Sequence, residues 1–210
     1  MANESGQVYG LTIFSPIIED QRLDIGHTTQ LRWYLATLAR DHTSPLAKVS
    51  STYFARLVVL DDVVFVGKPA REEHLKSRYL IFETNFDGDL DTYLKRLVTE
   101  VPEFVDTVWK HCVGYPGVAN SDAFVVYMKN CQLKTTFFFA DVNDRTVQHT
   151  LKALQTQSAL THFIERNQGK PAAEIQKLFG AFLERLKSAP APLPGGRAEE
   201  KSAAEDRPHD

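Results

Sequence analysis

A chain of 210 residues, 43% of them hydrophobic, is long enough for one domain with a real core plus extensions. With 24 Lys and Arg against 27 Asp and Glu, the net charge of −3 offers no global attraction to nucleic acid or to anionic membranes. No apolar run approaches the roughly 20 residues that cross a bilayer, which excludes membrane insertion. The two cysteines lack CxxC spacing and the N-terminus lacks the basic, apolar and cleavable pattern of a secretion signal, so the expected compartment is the cytoplasm.

Residues 8–187 read as a single domain, preceded by a short disordered start. From Ser188 onward "SAPAPLPGGRAEEKSAAEDRPHD" cannot bury enough surface to offset its ordering entropy, and residues 188–210 are expected to be a disordered tail. "YGLTIFSPI", Tyr9 to Ile17, is the first strand, limited by Pro16. Thr28 or Thr29 then caps a helix to about Asp41 in which Leu31, Leu35 and Leu38 recur at helical spacing. "SSTYFARLVVLDD" is the second strand and "RYLIFETNF" the third, with a charged loop containing Gly67 and Pro69 between them.

Asp87-Gly88 makes a turn into a helix from about Leu90 to Cys112, carrying Leu94, Leu97 or Val98, Val101, Val105 and Val108 on one stripe and broken or kinked at Pro102. "DAFVVYMKN" mixes strand and helix signals; Ser121 as a cap and the spacing of Phe124, Tyr127 and Met128 favour a short helix. "LKTTFFFADV" reads as the fourth strand. Asn143 or Asp144 caps a long helix with Val147, Leu151, Leu154, Leu160 and Phe163, and a last helix runs from Pro171 to Leu186 with Ile175, Leu178, Phe179 and Phe182 on one side.

The order through Val142 is strand, helix, strand, strand, helix, strand, which predicts an α+β protein of ferredoxin-like βαββαβ type with additional C-terminal helices. Two helices cover one sheet face and leave the other open. The strands are apolar on both faces, so the open one needs a cover: the chain's own C-terminal helices, or the sheet of a second copy closing a dimeric α+β barrel around a small hydrophobic ligand.

Three blocks, "STYFARLVVLDD", "LIFETNFDGDLDTYL" and "HCVGYPG", resemble a family of bacterial proteins that share an FAR-type second strand, an LxFxxNFDG third-strand end and a GYP loop. More remotely, the chain is similar to the ferredoxin-like domains of dye-decolourising peroxidases and chlorite dismutases. That resemblance implies haem as cofactor, a homodimer and a peroxidase-like oxidoreductase activity. It aligns Thr84-Asn85-Phe86-Asp87-Gly88 with the Gly-x-x-Asp-Gly motif whose aspartate assists peroxide cleavage, although the motif's first glycine is missing here. In the absence of a second ferredoxin-like domain, His149 or His162 on the long C-terminal helix would be the axial ligand.

The residues themselves leave alternatives open. Asp87, Asp89 and Asp91 have the spacing of half a calcium loop, but Thr92 and Val98 stand where its glycine and glutamate belong, which excludes it. Asp89 as helix cap and Asp91 as a first-turn acid explain two of the three; Asp87 keeps a possible chemical role. Arg56 and Glu83 interrupt neighbouring apolar strands, as a structural ion pair or as recognition groups in an enclosed cavity. The seven histidines show no metal-ligand spacing, and His111 beside Cys112 suits a helix C-terminus. Strand aromatics without an RNP1 pattern or flanking basic residues argue against RNA binding. The functional expectation is a barrel that binds a small hydrophobic ligand or haem, with Arg56, Glu83 and Asp87 near the cavity. The alternative is a non-catalytic scaffolding protein whose sheet is covered by its own C-terminal helices.

Overall fold

The structure, a computed structural model, describes residues 3–20, 22–63, 67–68 and 74–194. It is an α+β fold, with four antiparallel strands and seven helices among the described residues. In chain order β1 (Glu4–Ser5), β2 (Val8–Pro16), α1 (His27–Thr37), α2 (Pro45–Lys48), β3 (Thr52–Leu60) and β4 (Tyr79–Asp87) come first. They are followed by α3 (Leu90–Glu100), α4 (Pro102–Trp109), α5 (Ser121–Asn130), α6 (Val147–Arg166) and α7 (Ala172–Ser188). The sheet order is β1-β2-β4-β3.

Strict alternation in β4 sets the two faces. Leu80, Phe82, Thr84 and Phe86 are buried, and across the ladder they meet Ser15, Ile13, Leu11 and Tyr9 of β2 and Val59, Leu57 and Ala55 of β3. This face is covered by α3, α4 and α5. Trp109 stands edge-on to Phe82 and Phe124 at 5.4 and 6.1 Å, and Tyr93 stacks on Phe86 at 3.8 Å while its hydroxyl bonds to Thr52 and Thr84. Pro102 divides the expected single helix in two: it cannot continue α3 and takes the first position of α4. The ambiguous "DAFVVYMKN" is helix α5, capped by Asn120 rather than Ser121.

Two expectations are corrected. The N-terminal residues are not without structure, because Glu4 and Ser5 pair with Tyr9 and Val8. More consequentially, "LKTTFFFADV" is not a strand, so the ferredoxin-like βαββαβ order is not the one the sheet shows. The free edge of β2 is already occupied by three short segments. Asn3 bonds to both backbone groups of Gly10, at 2.8 and 2.9 Å. The residues after α5 then bond along Thr12 to Phe14, the Phe14 amide donating to Cys131 and the Leu133 amide to Thr12, at 2.8 and 2.9 Å. Beyond Pro16 the edge pairs with His111 to Val113. With these groups satisfied β2 has no ladder left for a full fourth strand. Residues 134–142 instead cross the outer face, where Phe137 and Phe139 are 81% and 69% exposed.

Phe54 and Val58 of that face are exposed, so part of it stays open. Phe179 and Phe182 of α7 pack on Phe163 of α6, at 5.6 and 4.8 Å, so α6 and α7 form a hairpin with its own seam. Residues 195–210 of the expected tail lie outside the described residues. Among the described residues no helix is long and apolar enough to cross a membrane.

Candidate functional site

Beyond the Val8–Asp87 pair at its α6 end, the outer sheet face has four cross-strand rows: Gly10, Asn85 and Phe54; Thr12, Glu83 and Arg56; Phe14, Ile81 and Val58; and Pro16, Tyr79 and Leu60. A charged row therefore lies inside an aromatic and aliphatic surface. Phe54 and Val58 are exposed. Over the first two rows lies the segment around Thr135 to Phe138, with the Phe138 ring seated on Gly10. A Cβ added to Gly10 would come within 2.8 Å of that ring, so the absence of a side chain is what admits it.

Between this segment and the sheet is an open cleft of about 260 Å³, lined by Phe54, Phe137 and Phe138 on its apolar side and by Glu83, Asn85 and Thr135 on its polar side. Arg56 and Glu83 are directly opposed in the ladder. The Arg56 Nε donates to Glu83 Oε2 at 2.9 Å and its Nη2 donates to the same oxygen. The guanidinium is 59% exposed and the carboxylate 29%, so the pair contributes little to stability but presents a fixed cation and acceptor at the cleft's margin.

The other acids that clustered in sequence separate in space. Asp87 ends β4, and its Oδ1 accepts the backbone N–H of Val147 at 2.9 Å, satisfying an otherwise unpaired donor of the α6 N-terminus. Its own amide bonds to Ser51 O at 3.1 Å. Gly88, at φ +101, makes the left-handed turn between them and α3. Asp89 caps α3 by accepting from the Thr92 amide at 3.0 Å, and hydrogen bonds from Thr92, first its side chain and then its amide, hold the Asp89 carboxyl below the usual range. Asp91 pairs with Lys129 of α5. Asp87 is therefore a docking residue of α6 here, and the structure brings Arg56 and Glu83 together without it.

His149 lies in the first turn of α6, its ring Nε2 facing Arg145 Nη1 at 3.4 Å. His162 sits 13 residues further on, about 20 Å along the helix axis. Neither lines the cleft, nor does any other imidazole, thiol or phenol among the described residues. The cleft is also smaller than the roughly 300 Å³ at which pockets for drug-sized ligands begin. Its residues do not fit a haem. Among the described residues no three His, Cys, Asp or Glu side chains converge.

His111 does more than end a helix. It is 4% exposed, its Nδ1 faces Nδ1 of His27 at 3.0 Å, and burial, then His27 and Lys110, lower its pKa to about 4. Its neighbour Cys112 is buried with the thiol pushed up to about 12, first by burial and then by Cys131, which makes it a poor nucleophile. The residues that sequence reasoning missed are Gly10, Asn85, Thr135 and the exposed side of the Phe137–Phe138 pair. The one signal for them was an isolated glycine within an apolar strand, which marks close approach of another group. Comparison with protein-family models, with curated proteins and with solved structures finds no match for this chain.

Proposed function

We propose that the protein is a small-molecule binding module that takes a mainly apolar ligand with one hydrogen-bonding or anionic group, and that a second copy covers the outer sheet face around it. The observation that carries this reading is the placement of Glu83, paired to Arg56 just outside the lining, and of Asn85 beside three phenylalanines in a cleft on the outer sheet face. Aromatic walls supply apolar area, and a few fixed polar groups set orientation, which is the usual division of labour in ligand sites. Arg56 suits a carboxylate or sulfonate, since a guanidinium meets such groups through two parallel N–H donors. Peroxidase chemistry is not proposed, because Asp87 is engaged by α6 and neither His149 nor His162 reaches the cleft.

The test is titration with 1-anilinonaphthalene-8-sulfonate, an aromatic anion, followed by displacement with long-chain and aromatic carboxylates. One saturable site per chain is expected. It should weaken about tenfold or more in Phe138→Ala and in Arg56→Ala, the loss of about 1.4 kcal/mol that one good contact supplies. Binding unchanged in both variants, or non-saturable, would remove the cleft as the site.

A further inference from the structure

We propose that the His27–His111 contact is a proton-operated latch: while at least one of the two rings is neutral it holds the start of α1 on the end of α4, and a second proton releases α1 while the sheet stays folded.

The contact joins two elements that lie far apart in sequence. His27 is the first residue of α1, and His111 follows the end of α4, 84 residues later. Their Nδ1 atoms are 3.0 Å apart, with the ring planes inclined at 66°. The backbone fixes His111 to the sheet: its carbonyl accepts the Ile18 amide at 2.9 Å, and the next residue, Cys112, pairs with Ile17. His27 is carried by the helix it begins.

At that separation a single hydrogen lies between the two nitrogens. One ring donates its Nδ1–H and the other accepts through a bare Nδ1, so the contact survives with both rings neutral or with one protonated. An imidazolium carries hydrogen on both nitrogens. Two of them would set N–H against N–H and bring two positive charges together where His111 is 4% exposed. A positive charge at the first position of α1 also meets the positive end of the helix dipole. Other charges around the pair do not reverse this. Lys110 adds to the repulsion on His111, and Asp20, which lies near His27, already holds Arg22 through both carboxylate oxygens at 2.9 Å. Glu103 of α4 acts on Tyr34, about two turns further along α1.

Elsewhere α1 is weakly held. Of its 11 residues only Leu31 is buried, with Tyr34 and Leu35 half-buried against the core. Its remaining tie is Arg32, which donates to the Val59 carbonyl at 3.3 Å and pairs with Asp61, at the end of β3. Segments with so little buried apolar surface are the ones that open on their own, below the free energy of global unfolding. Release withdraws Arg32 from Val59 and takes from β3, the last strand of the sheet, a helix that packs on it.

Burial, then His27 and Lys110, lower the His111 pKa from 6.5 to about 4 in the closed state, whereas release returns the ring to water. The open state therefore binds the extra proton. Opening grows as the pH falls from 6.5 toward 4, by up to about tenfold per pH unit, and levels off beyond that window.

Hydrogen–deuterium exchange of the full chain between about pH 6.5 and 4.5, corrected for the intrinsic rate at each pH, tests this. The amides of Leu31 to Thr37 should exchange faster than those of β4, and their opening constant should rise by about tenfold per pH unit. His111→Gln should remove that rise. His27→Gln alters the half-buried partner and leaves His111 in place, but offers it a side-chain oxygen that accepts from a protonated Nδ1; its rise should be clearly smaller. A wild-type α1 whose opening does not change with pH overturns the proposal. So does exchange of α1 and β4 at one common rate, which reports global unfolding. A rise in His27→Gln equal to that of the wild type also overturns it, because the effect then belongs to the burial of His111 alone.

Discussion

The carboxylate of Asp87 at the end of β4 accepts the backbone N–H of Val147, 60 residues away in sequence, and so joins the central strand of the sheet to the first turn of α6. Asp87→Ala removes an acceptor from a helix N-terminus, which typically costs about 1 kcal/mol. Asp87→Asn keeps an oxygen and should lose much less. Amide exchange at Val147 to Leu151 should quicken in the alanine variant while β4 stays protected. Unchanged exchange there, with loss of ligand binding instead, would return Asp87 to a chemical role.

The Arg56–Glu83 pair predicts a split between stability and binding. Both groups are partly solvated, so Arg56→Ala or Glu83→Ala should change the unfolding free energy by less than about 1 kcal/mol, with a small coupling in the double-mutant cycle. Affinity for an anionic aromatic probe should fall in Arg56→Ala by more than that. Equal losses in stability and affinity would make the pair structural only.

Gly10→Ala places a methyl against the Phe138 ring at 2.8 Å, and the ring has β2 beneath it. The overpacking should cost about 1–3 kcal/mol or lift the segment off the sheet. Urea unfolding of Gly10→Ala, with and without Phe138→Ala, reads it: the second change should relieve most of the first. Additive losses would mean that the two residues do not touch.

Much of the fold was legible in sequence because local signals and tertiary packing agree there. Alternation in "YLIFETNFD" put Leu80, Phe82 and Phe86 on one side of the strand, which is the side the core buries, and Pro102 announced the division of α3 from α4. "LKTTFFFADV" failed for a reason that composition does not carry. Its β-branched and aromatic content suits a strand, but a strand needs a free edge, and that of β2 is taken by Asn3, by residues 131–133 and by residues 111–113. The Arg56–Glu83 pair was legible because antiparallel neighbours fix a register; the cleft was not, because it exists only where a non-strand segment crosses Gly10.

Burial predicts unequal thiols. Cys112 is 2% exposed with its pKa pushed up to about 12, whereas Cys131 is half-buried at the end of α5. An aromatic disulfide reagent at neutral pH should therefore modify Cys131 first, and Cys112 at the rate of unfolding. Rapid modification of both thiols in the folded protein would contradict the packing described around Cys112.

His111 predicts an acid-sensitive fold. In the unfolded chain it takes up a proton near its ordinary value of 6.5, but in the folded chain, held by burial beside His27 and Lys110, only near pH 4. Between these values the unfolded state binds the extra proton, so stability is whole above pH 6.5, falls as the pH drops and levels off below about 4. The contribution is bounded at roughly 3 kcal/mol by the width of that window. Urea midpoints of the wild type should decline from pH 7 to pH 4.5, and His111→Gln, less stable at pH 7, should decline less. Parallel slopes for the two proteins would place the acid sensitivity elsewhere, and a slope that vanished in His27→Gln as well would assign it to the pair rather than to His111 alone.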